Sequence, residues 1–185
     1  MNNSVNFRNY SMLAGKKQDD DWYEWCIFVD SDPETIHRIR SIEYILHPTF
    51  PNPVRTVTNK ETRFALFSSG WGVFRIGINI EWETGSWTTA SHHLTFSQDD
   101  WPKKPKPASF SSPQSEEVYN ALLHEKFRWR KTATIAKISK QDESTVLEIL
   151  HEMAKQGLVR KGDFLSIDKK ELWASTAVVG LSPHL

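Results

Sequence analysis

The 185-residue sequence predicts a two-sheet β-sandwich over residues 1–98, a linker over 99–114 and a small α+β domain over 115–175, with a short tail at 176–185. Three observations carry this. Residues 22–97 hold short runs rich in aromatic and β-branched side chains, separated by turn residues and without a helical period. Residues 99–114 then change character, because Pro102, Pro105, Pro107 and Pro113 among Lys and Ser exclude a helix or a central strand. Beyond them the apolar residues fall at helical spacing.

Composition bounds the function. With 38% hydrophobic residues, eight Trp and ten Phe, the chain can fill one large core or two small ones. Lys plus Arg and Asp plus Glu stand at 23 each, so no overall field draws the protein to nucleic acid or to an anionic membrane. The lone Cys26 has no partner for an internal disulfide and sits in an apolar strand as a small core residue, which suits a reducing compartment. The start MNNSVNFRNY lacks a basic region followed by an apolar run, and no stretch approaches the ~20 apolar residues of a membrane span. A cytoplasmic protein with no membrane partner is expected.

Along the chain, Val5, Phe7, Tyr10 and Leu13 alternate and predict an edge strand or a packed arm. Residues 16–21 form a charged turn whose acids lack partners at metal-ligand spacing. Residues 22–29 are a strand rich in aromatic and β-branched residues. Ser31-Asp32-Pro33-Glu34 reads as a turn opened by proline. Over residues 36–46, Ile39, Tyr44 and Leu46 against Arg38, Arg40 and Glu43 predict a strand with one buried face. Thr58-Asn59-Lys60 is a hairpin candidate within 54–67, before the apolar run 64–67. Phe74, Ile76, Ile78 and Ile80 alternate with Arg75, Gly77, Asn79 and Glu81, the sharpest two-residue period in the chain. Residues 82–89 read as a turn and 91–97 as a last strand. Adjacent residues on a strand face opposite ways, so His92 and His93 are poor partners for one ion and no metal is expected.

In the second domain, Val118, Ala121, Leu122 and His124 or Glu125 mark a first helix, and residues 132–138 a second. Asp142 caps a third, with Val146, Ile149, Leu150 and Met153 on one face and Gly157 at its end. Residues 158–161 and 164–167 predict two strands joined by a Gly162-Asp163 turn. Three helices and a hairpin make a winged helix-turn-helix, and WRKTATIAKISKQDESTVLEILHEMAKQGLVRK is similar in pattern to that superfamily.

Two loops carry the chemistry. In Leu46-His47-Pro48-Thr49-Phe50-Pro51-Asn52-Pro53 the prolines fix φ and extend the residues before them. In Ser69-Gly70-Trp71-Gly72-Val73-Phe74 the glycines allow unusual backbone angles and bare N–H groups around Trp71. Rings, an imidazole, a hydroxyl and free amides suit a flat, neutral ligand containing an amide. The same residues also read as strand-end loops whose Phe and Trp plug the core.

LHPTFPNP followed by SSGWGVF and preceded by the strand WCIFV resembles the YEATS domain, over about residues 22–97. The resemblance implies an immunoglobulin-like sandwich that reads acylated lysine, acetyl or crotonyl, on a protein or peptide partner. It implies Phe50 and Trp71 as a sandwich around the acyl amide, with Phe28, His47 and Phe74 as walls. It implies a ligand hydrogen bond from Thr49, where many relatives have Ser, and backbone donors between Gly70 and Gly72. Val73 and Pro48 depart from the family pattern. The two-domain form with LHPTFP looks like prokaryotic members.

For the winged helix two roles stand. Lys131, Lys137, Lys140, Arg160 and Lys161 could hold a DNA backbone, whereas Asp142, Glu143 and Glu148 on the third helix repel phosphate and favour protein docking. Trp129 is expected between helices. The alternative to a reader is a protein-interaction module of a prokaryotic regulatory or defence system. No paired carboxylates in a loop context and no phosphate-binding glycine pattern occur, and His47 beside Thr49 has neither an oxyanion site nor an orienting acid, so no catalytic residue and no cofactor are expected.

Overall fold

The computed structural model describes residues 4–97, 100–124, 127–162 and 164–185. The chain forms two compact units, one of residues 1–101 with 182–185 and one of residues 102–181. The positions of Asp99, Glu125 and Asp163 invoked above lie outside the described residues.

In the first unit, β1 (Phe7–Lys17), β2 (Asp20–Val29) and β5 (Leu66–Gly70) form one antiparallel sheet in the order β1-β2-β5. The second sheet orders β4-β3-β6-β7, from β3 (Ile39–Ile45), β4 (Val54–Val57), β6 (Arg75–Trp82) and β7 (Trp87–His93). The sandwich is therefore all-antiparallel, as the alternating sequence implies. Between the sheets lie Trp25, Ile27, Val29, Ile42, Tyr44, Ile76, Ile78 and Ile80, all buried. The opposite parity on β2, Cys26 and Phe28, packs outward under Met12, Ala65 and Trp101. Trp101, expected in the linker, is thus part of this unit and stacks on Phe67 at 6.0 Å.

Several boundaries differ from the sequence expectation. The charged turn shrinks to Gln18 and Asp19, both left-handed at φ 52° and 70°, because this two-residue geometry lets Lys17 pair with Asp20 across the hairpin. The expected turn at 31–34 is the start of helix α1 (Pro33–Arg38), since Asp32 accepts the Thr35 amide at 2.8 Å and Pro33 suits the first helical position. Thr58-Asn59-Lys60 does not join a hairpin, because β4 and β5 lie in different sheets. The chain crosses there through Arg63 and Phe64, both at φ 55°. Arg63 donates to the carbonyls of Val29 and Ser31, and the buried Tyr44 hydroxyl donates to that of Phe64 at 2.8 Å. The last strand is Trp87–His93 rather than 91–97, and the turn before it is correspondingly short.

The second unit runs α2 (Pro113–Asn120), β8 (Arg130–Lys131), α3 (Thr132–Ser139), α4 (Glu143–Lys155), β9 (Val159–Lys161), β10 (Leu172–Ser175) and α5 (Thr176–Val179). Its strands form an antiparallel sheet in the order β8-β10-β9. Ser112 caps α2 with Pro113 at its start, and Asp142 caps α4 through the Thr145 amide at 2.9 Å. Gly157 follows α4 at φ +70°, the left-handed stop that glycine favours. Val146, Leu150 and Met153 are buried beside Ile135, Tyr119 and Trp173.

Here too the sequence reading needs correction. The partner of β9 is Leu172–Ser175, not residues 164–167, which lie in the connecting loop with Phe164, Leu165 and Ile167 exposed. The Gly162 amide donates to the Leu172 carbonyl and so sets this register. Trp129 does not pack between helices, because it meets Phe164 at 5.1 Å and Arg160 at 4.9 Å on the sheet side. Residues 176–181 are no free tail either: Val179 is buried, and its carbonyl takes a hydrogen bond from Arg160.

Candidate ligand-binding site

The loop between β3 and β4 closes at its base, where the Leu46 amide donates to the Pro53 carbonyl at 2.8 Å. Inside it the Phe50 amide donates to the His47 carbonyl at 3.0 Å, and His47 Nδ1 lies 2.9 Å from the Thr49 hydroxyl. The imidazole and the hydroxyl proposed for the ligand therefore form one exposed polar pair. Arg55 ties the loop down from outside the motif. It donates to the carbonyls of Asn52 and Pro51, both at 3.2 Å, and to the Ser68 hydroxyl on β5 at 3.4 Å. Burial lowers the Arg55 guanidinium somewhat from its ordinary value.

The rings split into two groups. Phe50 and Phe74 are half-buried and lie 5.3 Å apart, and each meets the edge of fully buried Trp25 at 6.2 Å. His47 joins them at 6.3 Å from Phe74. Trp71 stands apart from the core, with 66% of its surface exposed. The core-plug reading thus fits Phe50 and Phe74 in part and does not fit Trp71.

Gly70 and Gly72 take no left-handed angles, contrary to the expectation. Their value is space. A methyl group at Gly70 would meet Phe50 Cζ at 3.5 Å, so the ring lies directly against this backbone, and nothing stands within 4 Å of the same position at Gly72. Of the expected site residues, the fold gathers His47, Thr49, Phe50, Gly70 and Phe74, with Trp71 and Gly72 on the adjoining loop. It does not bring Phe28 to them, since Phe28 faces the outer cluster with Met12 and Cys26. Sequence reasoning missed Trp25 and Arg55. The period of two would have found Trp25, because it shares parity with inward-facing Ile27 whereas Phe28 does not.

Residues 23–95 match the family model of the prokaryotic YEATS domain. The AF-9 homolog proteins of Candida glabrata and Kluyveromyces lactis are 41% and 43% identical to the chain over 58 residues, which is 30% of this chain. The chain spans about a quarter of the length of these curated relatives, 25% and 26%. Among solved structures, the Yaf9 YEATS domain bound to an acylated histone peptide has 23% identity and a TM-score of 0.40, over 52% of this chain and 77% of that one. The yeast AF-9 homolog itself has 24% identity and a TM-score of 0.40, over 50% of this chain and 65% of that one.

Among the described residues no group of three or more His, Cys, Asp or Glu converges as a metal site, and no helix is long and apolar enough to cross a membrane. On β7, His92 Nε2 lies 2.8 Å from Asn9 Oδ1, and burial, with a smaller contribution from His93, holds its imidazole below the ordinary range. A lowered folded pKa favours the neutral form in the fold. Its contribution is present above the unfolded pKa of about 6.5 and is lost as pH falls from there through the folded value. Urea titrations between about pH 5 and about pH 8 are expected to show stability falling on the acid side, with a shallower fall in His92→Gln. An identical slope in the variant would contradict this.

The basic residues of the second unit are mostly engaged. Lys131 pairs with Asp168 at 2.7 Å, and with Ser166 it holds that carboxyl down at about 2. Lys161 pairs with Glu171. Arg160 is buried, with its guanidinium donating to the carbonyls of Val179 and Gly180. It therefore cannot serve as the phosphate contact expected of it. Lys137 and Lys140 are exposed and form no ion pair among the described residues.

Proposed function

We propose that residues 23–95 are a non-enzymatic reader of acylated lysine, acetyl or crotonyl, on a protein partner. One observation carries this reading: a largely exposed Trp71 stands on a glycine-flanked loop beside Phe50, whose ring rests on the Gly70 backbone. Acylation removes the lysine charge and leaves a planar amide on an apolar stem. Trp71 and Phe50 offer π-faces for that plane, the His47–Thr49 pair offers polar atoms, and the open backbone at Gly72 offers a donor for the acyl carbonyl. The match to the prokaryotic YEATS model and the local identity to AF-9 homologs support the same reading.

We also infer that the second unit is a winged helix that docks protein in preference to DNA. The order α2, β8, α3, α4, β9, β10 supports the first part, and the engagement of Lys131, Arg160 and Lys161 supports the second.

Titration of the full chain with unmodified, acetylated and crotonylated lysine peptides, followed by tryptophan fluorescence, tests the reader. Acylated peptides are expected to bind selectively. Trp71→Ala is expected to weaken them several-fold, since a stacked aromatic contributes about 0.5–1.5 kcal/mol beyond its area. Its melting temperature should stay put, because the side chain is exposed. Equal affinity for all three peptides would sink the reading and leave an interaction module.

A further inference from the structure

The second unit carries a groove that the reader does not use. A cavity of about 290 Å³ opens between residues 107–111 and the outward face of α4. Its floor is apolar, from Phe110, Ile149, Met153 and Leu158, and its rim carries Glu148 and Glu152 one helical turn apart. The size falls at or below the about 300–1,000 Å³ typical of small-molecule sites, so it suits the side chain of a docked chain rather than a cofactor.

The charges around it decide what kind of chain. Two lysines of the flanking segment are already engaged: Lys104 donates to the carbonyl of Gln156 at the end of the groove away from Glu148, while Lys106 donates to Asn120 at 2.9 Å and Glu116 at 3.4 Å. These bonds hold the outer wall to α2 and to the end of α4. Glu152 is occupied by Lys155 and Gln156, both at 3.3 Å. Glu148 is exposed and has no ion pair among the described residues. An apolar trough ending at an uncompensated carboxylate fits an amphipathic cation, whose stem buries against carbon while its head meets the acid. Phosphate would be repelled by the same rim. An arginine matches best, because its planar fork takes a carboxylate bidentately.

We propose that this groove docks an extended basic peptide segment, with an arginine side chain along Ile149 and Met153 and its guanidinium on Glu148. The lining residues all belong to the second unit, so the groove gives that unit a partner of its own.

The test is fluorescence anisotropy of a labelled peptide of alternating Gly and Arg against the full chain. A matched labelled Gly and Gln peptide and a labelled short DNA duplex, each titrated separately, serve as controls. The Arg peptide is expected to bind and neither control to do so. Glu148→Gln should weaken it about tenfold, the low end of what hydrogen bonds to a charged group contribute. Glu143→Gln, on the same helix but not lining the groove, should leave affinity within about twofold, as a distant exposed charge does under screening. Both residues are exposed, and circular dichroism melts check that the variants fold. No binding of the Arg peptide, equal losses in the two variants, or binding of the duplex that Glu148→Gln strengthens would each overturn the proposal. So would self-association of the chain that Glu148→Gln abolishes, which would give the groove to a second copy.

Discussion

Trp25→Ala is expected to destabilise the sandwich by about 3–5 kcal/mol, the cost of deleting a large buried aromatic and leaving its cavity. Trp25 is fully buried, and Phe50 and Phe74 meet it edge-on at 77° and 73°. Its loss removes the floor on which both site rings stand, so ligand binding should fail with the fold. Trp25→Phe separates the two effects. The indole Nε1 has no hydrogen-bond partner among the described residues, so replacing it keeps a ring and discards an unpaired buried donor. That variant should lose only about 1–2 kcal/mol, mostly from lost volume. Urea denaturation measures both, and a Trp25→Ala protein within about 1 kcal/mol of wild type would refute this view of the core.

Arg160→Ala is the second large effect, expected at about 2–4 kcal/mol. The guanidinium donates from Nε to the Gly180 carbonyl at 3.3 Å and from Nη2 to the Val179 carbonyl at 3.2 Å, and it covers the Trp129 ring. Truncation leaves buried carbonyls unpaired and uncovers an aromatic face, and both penalties fall on the folded state. Lys137→Ala, at an exposed position, should stay within about 0.5 kcal/mol of wild type. Parallel denaturation and DNA-binding measurements distinguish a structural from a nucleic-acid role. Unchanged stability with lost DNA affinity in Arg160→Ala would restore the phosphate contact.

Together these two residues mark where sequence reading stopped. Phe28 and Trp25 are both large aromatics on one strand, three positions apart, and so on opposite faces. Choosing Phe28 as a site wall put the wrong face toward the loops. Arg160 is one of several basic residues near a predicted wing, and nothing local distinguishes it from Lys161. Only the return of the chain at residues 176–180 supplies the carbonyls that bury it. The hairpin turn at Gly162-Asp163 misled similarly, since an apolar stretch followed it closely while the true partner lay at Leu172–Ser175.

What local chemistry settled was considerable. Alternating Ile76, Ile78 and Ile80 make β6 a strand with one face in the core, because side chains on a strand alternate by geometry. Asp142, the spacing from Val146 to Met153 and Gly157 place α4 almost to the residue, because caps and helical period are short-range. The proline-braced and glycine-flanked loops announce themselves for the same reason. Tertiary structure alone decided which rings meet, how Arg55 clamps one loop to the far sheet, and which lysines are already paired. Those facts depend on residues distant in sequence arriving at one place, and neither propensity nor period encodes that meeting.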